Sequence, residues 1–268
     1  MNNKIGIDAG GSLIKIAYEE NGRLHFRKQP NSKLDDALQW LKITATNKPI
    51  YLTGGKAGTI KANYFPEAKM VDEFSAVCEG SRHLKMKEVR SASDSYILVN
   101  IGTGTSWFTI NGEQYDRVLG SGIGGGTFMG LGEILAETED FSELVSLAAA
   151  GDKGNVDLLV KDIYHPEKPP IHGDLTASNF AKSQEITPSS PADKIASLNN
   201  MIAETLTLLT VQAANLHNIK QVVFIGSTLA GNTPLREHLK SYCSMSGIDP
   251  VYLENGEFSG AIGAMLTK

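Results

Sequence analysis

Two Asn-Gly pairs, Asn21-Gly22 and Asn111-Gly112, each sit between short runs of alternating apolar and polar residues. Asn-Gly supplies the two left-handed residues that a tight two-residue hairpin turn demands, so each pair marks a strand reversal. Before each pair lies a second, glycine-rich reversal: Gly10-Gly11 in the first case, Gly102-Thr103-Gly104-Thr105 in the other. The sequence therefore predicts three antiparallel strands over Lys4–Ala9, Leu13–Tyr18 and Arg23–Gln29, and three more over Tyr96–Ile101, Ser106–Ile110 and Gln114–Val118.

Each triplet continues in the same way. An amphipathic helix is expected over Leu34–Thr44, with Leu34, Ala37, Leu38 and Leu41 on one face and Asn31 or Ser32 as its cap. The short strand Ile50-Tyr51-Leu52 then runs into Thr53-Gly54-Gly55, and much later Val222–Ile225 runs into Gly226-Ser227. Matching punctuation at matching points is the mark of an internal duplication. The second copy carries an insert with a long helix near Ala192–His217, preceded by the loop Thr187-Pro188-Ser189-Ser190-Pro191. Apolar residues at helical spacing in that helix, from Ile195 to Leu216, read as core. The expected architecture is α/β: two lobes, 1–92 and 93–268, joined at Ser91–Ser95 and separated by a cleft, with the last helix free to pack back on the first lobe.

Composition narrows the function classes. A net charge of −5 over 268 residues argues against an obligate nucleic-acid binder. The one basic run, Ser81–Arg90, reads as the solvated face of a helix whose C-terminal cations complement its dipole. Cys78 and Cys243 form no CxxC pair, and the six histidines show no HxxxH spacing, so neither a zinc site nor a disulfide framework is signalled. No apolar run approaches the roughly 18 residues of a membrane span, and Met1–Gly6 leads straight into a strand pattern, so a cytoplasmic protein is expected.

The glycine turns carry the chemistry. In Asp8-Ala9-Gly10-Gly11-Ser12-Leu13-Ile14-Lys15, glycines let backbone N–H groups approach an anion, the aspartate can hold a hydrated magnesium ion, and the lysine can neutralise phosphate. An ordinary glycine hairpin with a solvated lysine is the plainer alternative. Gly102–Ser106 repeats the logic with added hydroxyls, and two such loops facing each other would clamp a triphosphate. A third cluster, Gly120–Gly126, precedes a helix expected over Thr127–Ala136, whose N-terminus would attract phosphate. Antiparallel hairpins ahead of it exclude a dinucleotide fingerprint, and no GxxxxGK[ST] occurs.

Asp8–Ser12 resembles the first phosphate loop of the actin and hexokinase superfamily, whose fold is an actin-like (ribonuclease H-like) duplicated two-lobe structure with ATP between the lobes. Val99–Ser106 with Arg117 and Gly124–Phe128, Gly173–Phe180, and Glu254-Asn255-Gly256 with Phe258–Ala264 resemble the type II pantothenate kinases. The resemblance implies phosphoryl transfer from ATP with Mg2+ to the primary hydroxyl of pantothenate, by a homodimer. It implies a catalytic base at Glu73, which composition alone leaves as a helix-start carboxylate beside the competing acid Asp72. Arg117 is implied as the active-site arginine. Nucleotide binding is implied for residues 8–15, Thr103, Gly104, Gly125, Gly126, Thr127, Phe128, Met129, Phe141, Gly226 and Ser227, with Asp8 reaching Mg2+ through water. Thr103, Ser106 and Arg117, and more weakly Thr176, Asn179 and Tyr252, are implied for pantothenate. A sugar or amino-sugar kinase of the same superfamily and a non-catalytic nucleotide-binding regulator stand as alternatives.

Overall fold

A computed structural model describes residues 4–44, 48–89, 93–182 and 189–267. Arg90, Ser91 and Ala92 of the basic run and linker, and Thr187-Pro188 of the predicted loop, lie outside the described residues. The first half runs β1 (Ile5–Ala9), β2 (Leu13–Glu20), β3 (Arg23–Pro30), α1 (Leu34–Thr44), β4 (Ile50–Thr53), α2 (Ala57–Asn63), β5 (Lys69–Met70) and α3 (Glu73–Glu88). The second runs β6 (Ser95–Ile101), β7 (Thr105–Asn111), β8 (Gln114–Ser121), α4 (Gly125–Ala136), α5 (Phe141–Ala150), β9 (Leu158–Leu159), α6 (Val160–Tyr164), β10 (Thr176–Ser178), α7 (Pro191–Leu216), β11 (Gln221–Ile225), α8 (Thr233–Met245), β12 (Asp249–Tyr252) and α9 (Ser259–Leu266).

The two halves build the same sheet. One has the order β3-β2-β1-β4-β5 and the other β8-β7-β6-β11-β12. In each, a three-strand antiparallel meander is extended by two parallel strands. The parallel edge strands β5 and β12 escaped the sequence reading because they are short and show no clear alternation. The hairpin turns also differ. In the first, Asn21 and Gly22 are the loop residues, with φ of 52° and 76°. In the second, Asn111 pairs with Gln114, so Gly112 and Glu113 form the loop and the glycine, at φ 61°, comes first. That is the glycine-first pattern of a II′ turn, one residue on from the position the Asn-Gly signal suggested.

Hydrophobic burial holds three layers of packing. Ile5, Ile7, Ile14, Ile16 and Leu52 of the first sheet meet Ala37, Leu38 and Leu41 of α1. Ile97, Val99, Trp107 and Phe224 of the second sheet meet Leu198, Ile202 and Leu206 of α7 and Leu239 of α8. Between the sheets, Val77 and Leu84 of α3 and Ala261, Ile262 and Met265 of α9 join Leu98 and Phe108 to Ala17 in one shared core. Helix α7 starts on a capping box of Ser190 and Asp193 with Pro191 in the first turn. Trp107, fully buried, donates its Nε1–H to Thr210 Oγ1 at 2.8 Å.

The basic run departs from its expected solvated face. Ser81, Leu84 and Lys85 are buried where α3 lies against the second sheet. Lys85 Nζ donates to Ser93 O at 2.5 Å and sits 4.2 Å from the centre of the Tyr96 ring. Burial holds its ammonium pKa below the ordinary lysine value. Met86, Lys87 and Glu88 beyond it are exposed.

Candidate active site

Both glycine loops lie at the ends of central strands and touch across the cleft, with Ser12 Oγ 3.1 Å from Thr103 Oγ1. In the first loop, Gly10 N–H donates back to Leu13 O at 3.0 Å. Asn31, expected as a helix cap, instead donates from Nδ2 to Gly10 O at 3.1 Å and to Gly11 O at 2.7 Å. In the second loop, Gly102 N–H closes on Gly104 O at 2.9 Å, and Thr228 Oγ1 donates to Gly102 O at 2.9 Å.

The third glycine cluster serves this second loop. Gly125 N–H donates to Gly102 O and Gly126 N–H to Thr103 O, both at 2.8 Å. The first amides of α4, which helix-terminus electrostatics would offer to phosphate, are thus spent on loop carbonyls. Thr127 is likewise engaged locally, its Oγ1 donating to Gly122 O at 3.0 Å and accepting from Gly124 N–H at 3.3 Å.

A cleft of about 750 Å³ opens beside the loops. Of the residues implied for nucleotide, Ser12, Leu13, Thr103, Gly125, Gly126, Met129, Phe141 and Ser227 line it. Ala9, Ile14 and Phe128 do not: all three are core side chains, and Phe128 packs edge-on against Phe141 at 5.8 Å. Gly226, at φ 115°, is pressed against the Ile101 carbonyl, where an added Cβ would stand 2.3 Å away, so it shapes the turn that presents Ser227. Lys28 and Thr228 line the cleft as well and were missed. The signal for Lys28 was its place: it pairs in register with Lys15, which pairs with Asp8, so the three share one row across β3, β2 and β1.

Ionisable groups gather beside the loops. Asp8 is buried and accepts from Lys15 Nζ at 3.2 Å. Lys28 Nζ donates to Glu257 Oε2 at 2.7 Å. Asp72 is the N-cap of α3, accepting from Ser75 N–H at 2.8 Å. Glu73 is the first residue of that helix, with its side chain exposed. Partial desolvation raises its carboxyl pKa. The charge on Asp8 and, less strongly, on Asp72 adds to this rise, and Lys15 opposes it. Arg117 lies over the Phe74 ring at 5.2 Å, and its Nη2 is 3.5 Å from Ser106 Oγ. Glu73 and Arg117 therefore flank the loops from neighbouring elements.

The residues implied for the acceptor's far end are not brought to this cleft. Thr176 Oγ1 accepts from Lys153 Nζ at 3.3 Å and from Asn200 Nδ2 at 3.1 Å, in a polar cluster with Tyr242 and Glu204. Asn179 reaches the same cluster through Glu204 at 3.4 Å. Tyr252 stacks on Phe224 and donates its hydroxyl to Arg236 O at 3.2 Å, a packing role under α8.

A Fumble family model matches residues 4–267. A type II pantothenate kinase of Oceanobacillus iheyensis is 39% identical over 265 residues, covering 99% of each chain. Another, from Staphylococcus haemolyticus, is 40% identical over 264 residues and 98% of each chain. This chain belongs to the type II pantothenate kinase family. The family's fold extends to more distant structures. An activator of the 2-hydroxyisocaproyl-CoA dehydratase from Clostridium difficile, with bound ADPNP, superimposes with a TM-score of 0.63 at 16% identity, covering 98% of this chain and 92% of the other. A ROK family glucokinase from Streptomyces griseus, in complex with glucose and AMPPNP, gives 0.57 at 13% identity, covering 98% and 97%. At such identities the likeness concerns the fold alone. It agrees with the duplicated actin-like sheets that this family member shows.

Proposed function

We propose that this chain transfers the γ-phosphoryl group of ATP to the primary hydroxyl of pantothenate, giving 4′-phosphopantothenate for coenzyme A synthesis. The carrying observation is the Glu73 carboxyl, raised in pKa and grouped with Asp8 and Lys15 at the mouth of two touching phosphate loops. Family membership supports pantothenate over a sugar acceptor and over a non-catalytic regulator.

In this reading the cleft beside Met129 and Phe141 takes the adenosine, and the loops take the phosphates. Glu73 accepts the acceptor hydroxyl's proton as that oxygen attacks phosphorus. Arg117 and Lys15 offset charge on the transferred group, and Thr103 and Ser106 hydroxyls orient the acceptor. Among the described residues no cluster of three metal-ligating side chains occurs. The residues fit a magnesium ion held chiefly by phosphate and water, with Asp8 ordering one of its waters. When bound with ATP, that ion supplies charge neutralisation.

The lobe division at 92/93 belongs to the same reading, since the first sheet uses residues 5–70 and the second residues 95–252. A homodimer is supported by Leu131 and Ile134, apolar and exposed on α4. Light scattering is expected to give twice the chain mass. A cytoplasmic setting is supported by Cys78 and Cys243, buried unpaired thiols whose pKa values burial pushes to about 12 and about 11. No helix among the described residues is long and apolar enough to cross a membrane.

The test is an ADP-release assay with pantothenate, glucose and N-acetylglucosamine as acceptors. Turnover is expected with pantothenate alone. Turnover on a sugar alone would reassign the substrate and leave the fold untouched.

A further inference from the structure

We propose that Asn31 is a positioning residue of the nucleotide site, holding the first phosphate loop in its anion-binding form; this rests on the kinase reading above. Asn31 ends up beside the loop because β3 returns antiparallel to β2, pairs its last residue Pro30 with Leu13, and leaves Asn31 next to the turn. From there it holds three successive loop carbonyls. Its Nδ2 donates to Gly10 O at 3.1 Å and Gly11 O at 2.7 Å, and its own backbone N–H donates to Ser12 O at 3.0 Å.

A trans peptide points the C=O of one residue and the N–H of the next in opposite directions. Drawing the Gly10 and Gly11 carbonyls toward Asn31 therefore turns the Gly11 and Ser12 N–H groups the other way. Neither of those N–H groups donates to any acceptor within the described chain. Ser12 lines the nucleotide cleft, so its freed amide belongs to the wall, with the Gly11 amide one residue before it. Two consecutive glycines would otherwise leave this turn with many conformations, because glycine gives up more backbone freedom than any other residue on being fixed.

The residue type fits the task. One nitrogen must offer two hydrogens, which asparagine does, while aspartate offers none and serine one. Asn31 Oδ1 is buried and has no partner, so the amide's engaged end is its donor. Rotating it would set Oδ1 against two carbonyl oxygens. A capping side chain accepts from a backbone amide, and Asn31 Oδ1 accepts from none, so helix capping does not account for the residue. The duplicated second loop is braced by other means, the Thr228 hydroxyl and the Gly125 and Gly126 amides. Asn31 is the first lobe's own solution.

Calorimetric binding of a non-hydrolysable ATP analogue, with no acceptor present, tests the proposal on Asn31→Ser and Asn31→Leu. Loss of the paired donor bonds is expected to weaken analogue binding about ten- to hundredfold. The KM for MgATP should rise with it, while the KM for pantothenate stays within about twofold. Variants binding the analogue as tightly as the parent, or losing both substrates equally, overturn the inference. A parent chain that binds no analogue at all would instead remove the kinase reading. Should the variants not fold, amide exchange in the parent decides: Gly11 and Ser12 should become protected when the analogue binds, and unchanged exchange there overturns the proposal.

Discussion

Glu73→Gln is expected to cut kcat by about a hundred- to ten-thousandfold, the span that general-base catalysis contributes. The amide keeps the side chain's size and its place at the start of α3, yet cannot accept a proton. Nucleotide affinity should change little, because the phosphate loops and the cleft are made from other residues. The pH dependence follows from the same surroundings. A base works only when ionised, so activity falls as pH drops through its pKa. That pKa is raised by partial burial and by Asp8 and Asp72, against the opposition of Lys15. The acid limb of kcat/KM is therefore expected above the roughly 4.3 of an unperturbed glutamate. Lys15→Met removes the opposing charge and should push the limb higher still. Stability carries the opposite sign. A carboxyl with a raised folded-state pKa contributes stability below its unfolded value and loses it as pH rises through the folded one. At neutral pH Glu73→Gln should therefore leave the thermal midpoint unchanged or higher. A variant with full turnover would remove Glu73 as the base.

The meander strands and glycine turns were legible because they rest on local chemistry: period-two alternation, and residues that tolerate positive φ. What escaped depends on contacts between distant parts of the chain. Asn31 looked like a helix cap because Asn before a helix usually is one. Only the return of β3 alongside β2 brings it to the Gly10 and Gly11 carbonyls. The amides of Gly125 and Gly126 looked available to phosphate because helix N-termini are short of acceptors, and the second loop supplied them. Lys85 looked solvated because lysine seldom lies buried, but a carbonyl and an aromatic face await it. Phe128 and Ile14 sat inside motif strings whose backbone, not whose side chains, borders the cleft. Thr176 and Tyr252 were carried over from likeness alone, and within one chain neither lines the cleft.

Gly80→Val should be the most damaging single change to the fold. Helices α3 and α9 cross with their backbones nearly in contact between the two sheets. A Cβ added at Gly80 would stand 1.8 Å from Ser259 O, and one at Gly263 would stand 1.7 Å from Ala76 O. On the far side of α9, a Cβ at Gly6 of β1 would stand 1.9 Å from Ala261 O. Wedged from both sides, α9 has nowhere to yield, and the obstructing atoms are backbone. Overpacking of this kind costs about 3 kcal/mol or more. For a chain of this size that corresponds to a thermal midpoint lower by roughly 6–12 °C. Gly58→Ala in α2 is the control of opposite sign. Nothing lies within 4 Å of its added Cβ, so better helix propensity should raise the midpoint slightly. The crossing also sets the distance between Glu73 and Asp8, the two carboxylates proposed for the reaction. Glu73 begins α3, Asp8 lies near the end of β1, and α9 presses on Asp8 closely enough that a Cβ at Gly260 would meet Oδ2 at 2.8 Å. Prising α3 from α9 therefore moves Glu73 relative to Asp8. Whatever fraction of Gly80→Val remains folded should show a lowered kcat with a nearly unchanged KM for MgATP, and a normal kcat in that fraction would show the crossing to be scaffold alone.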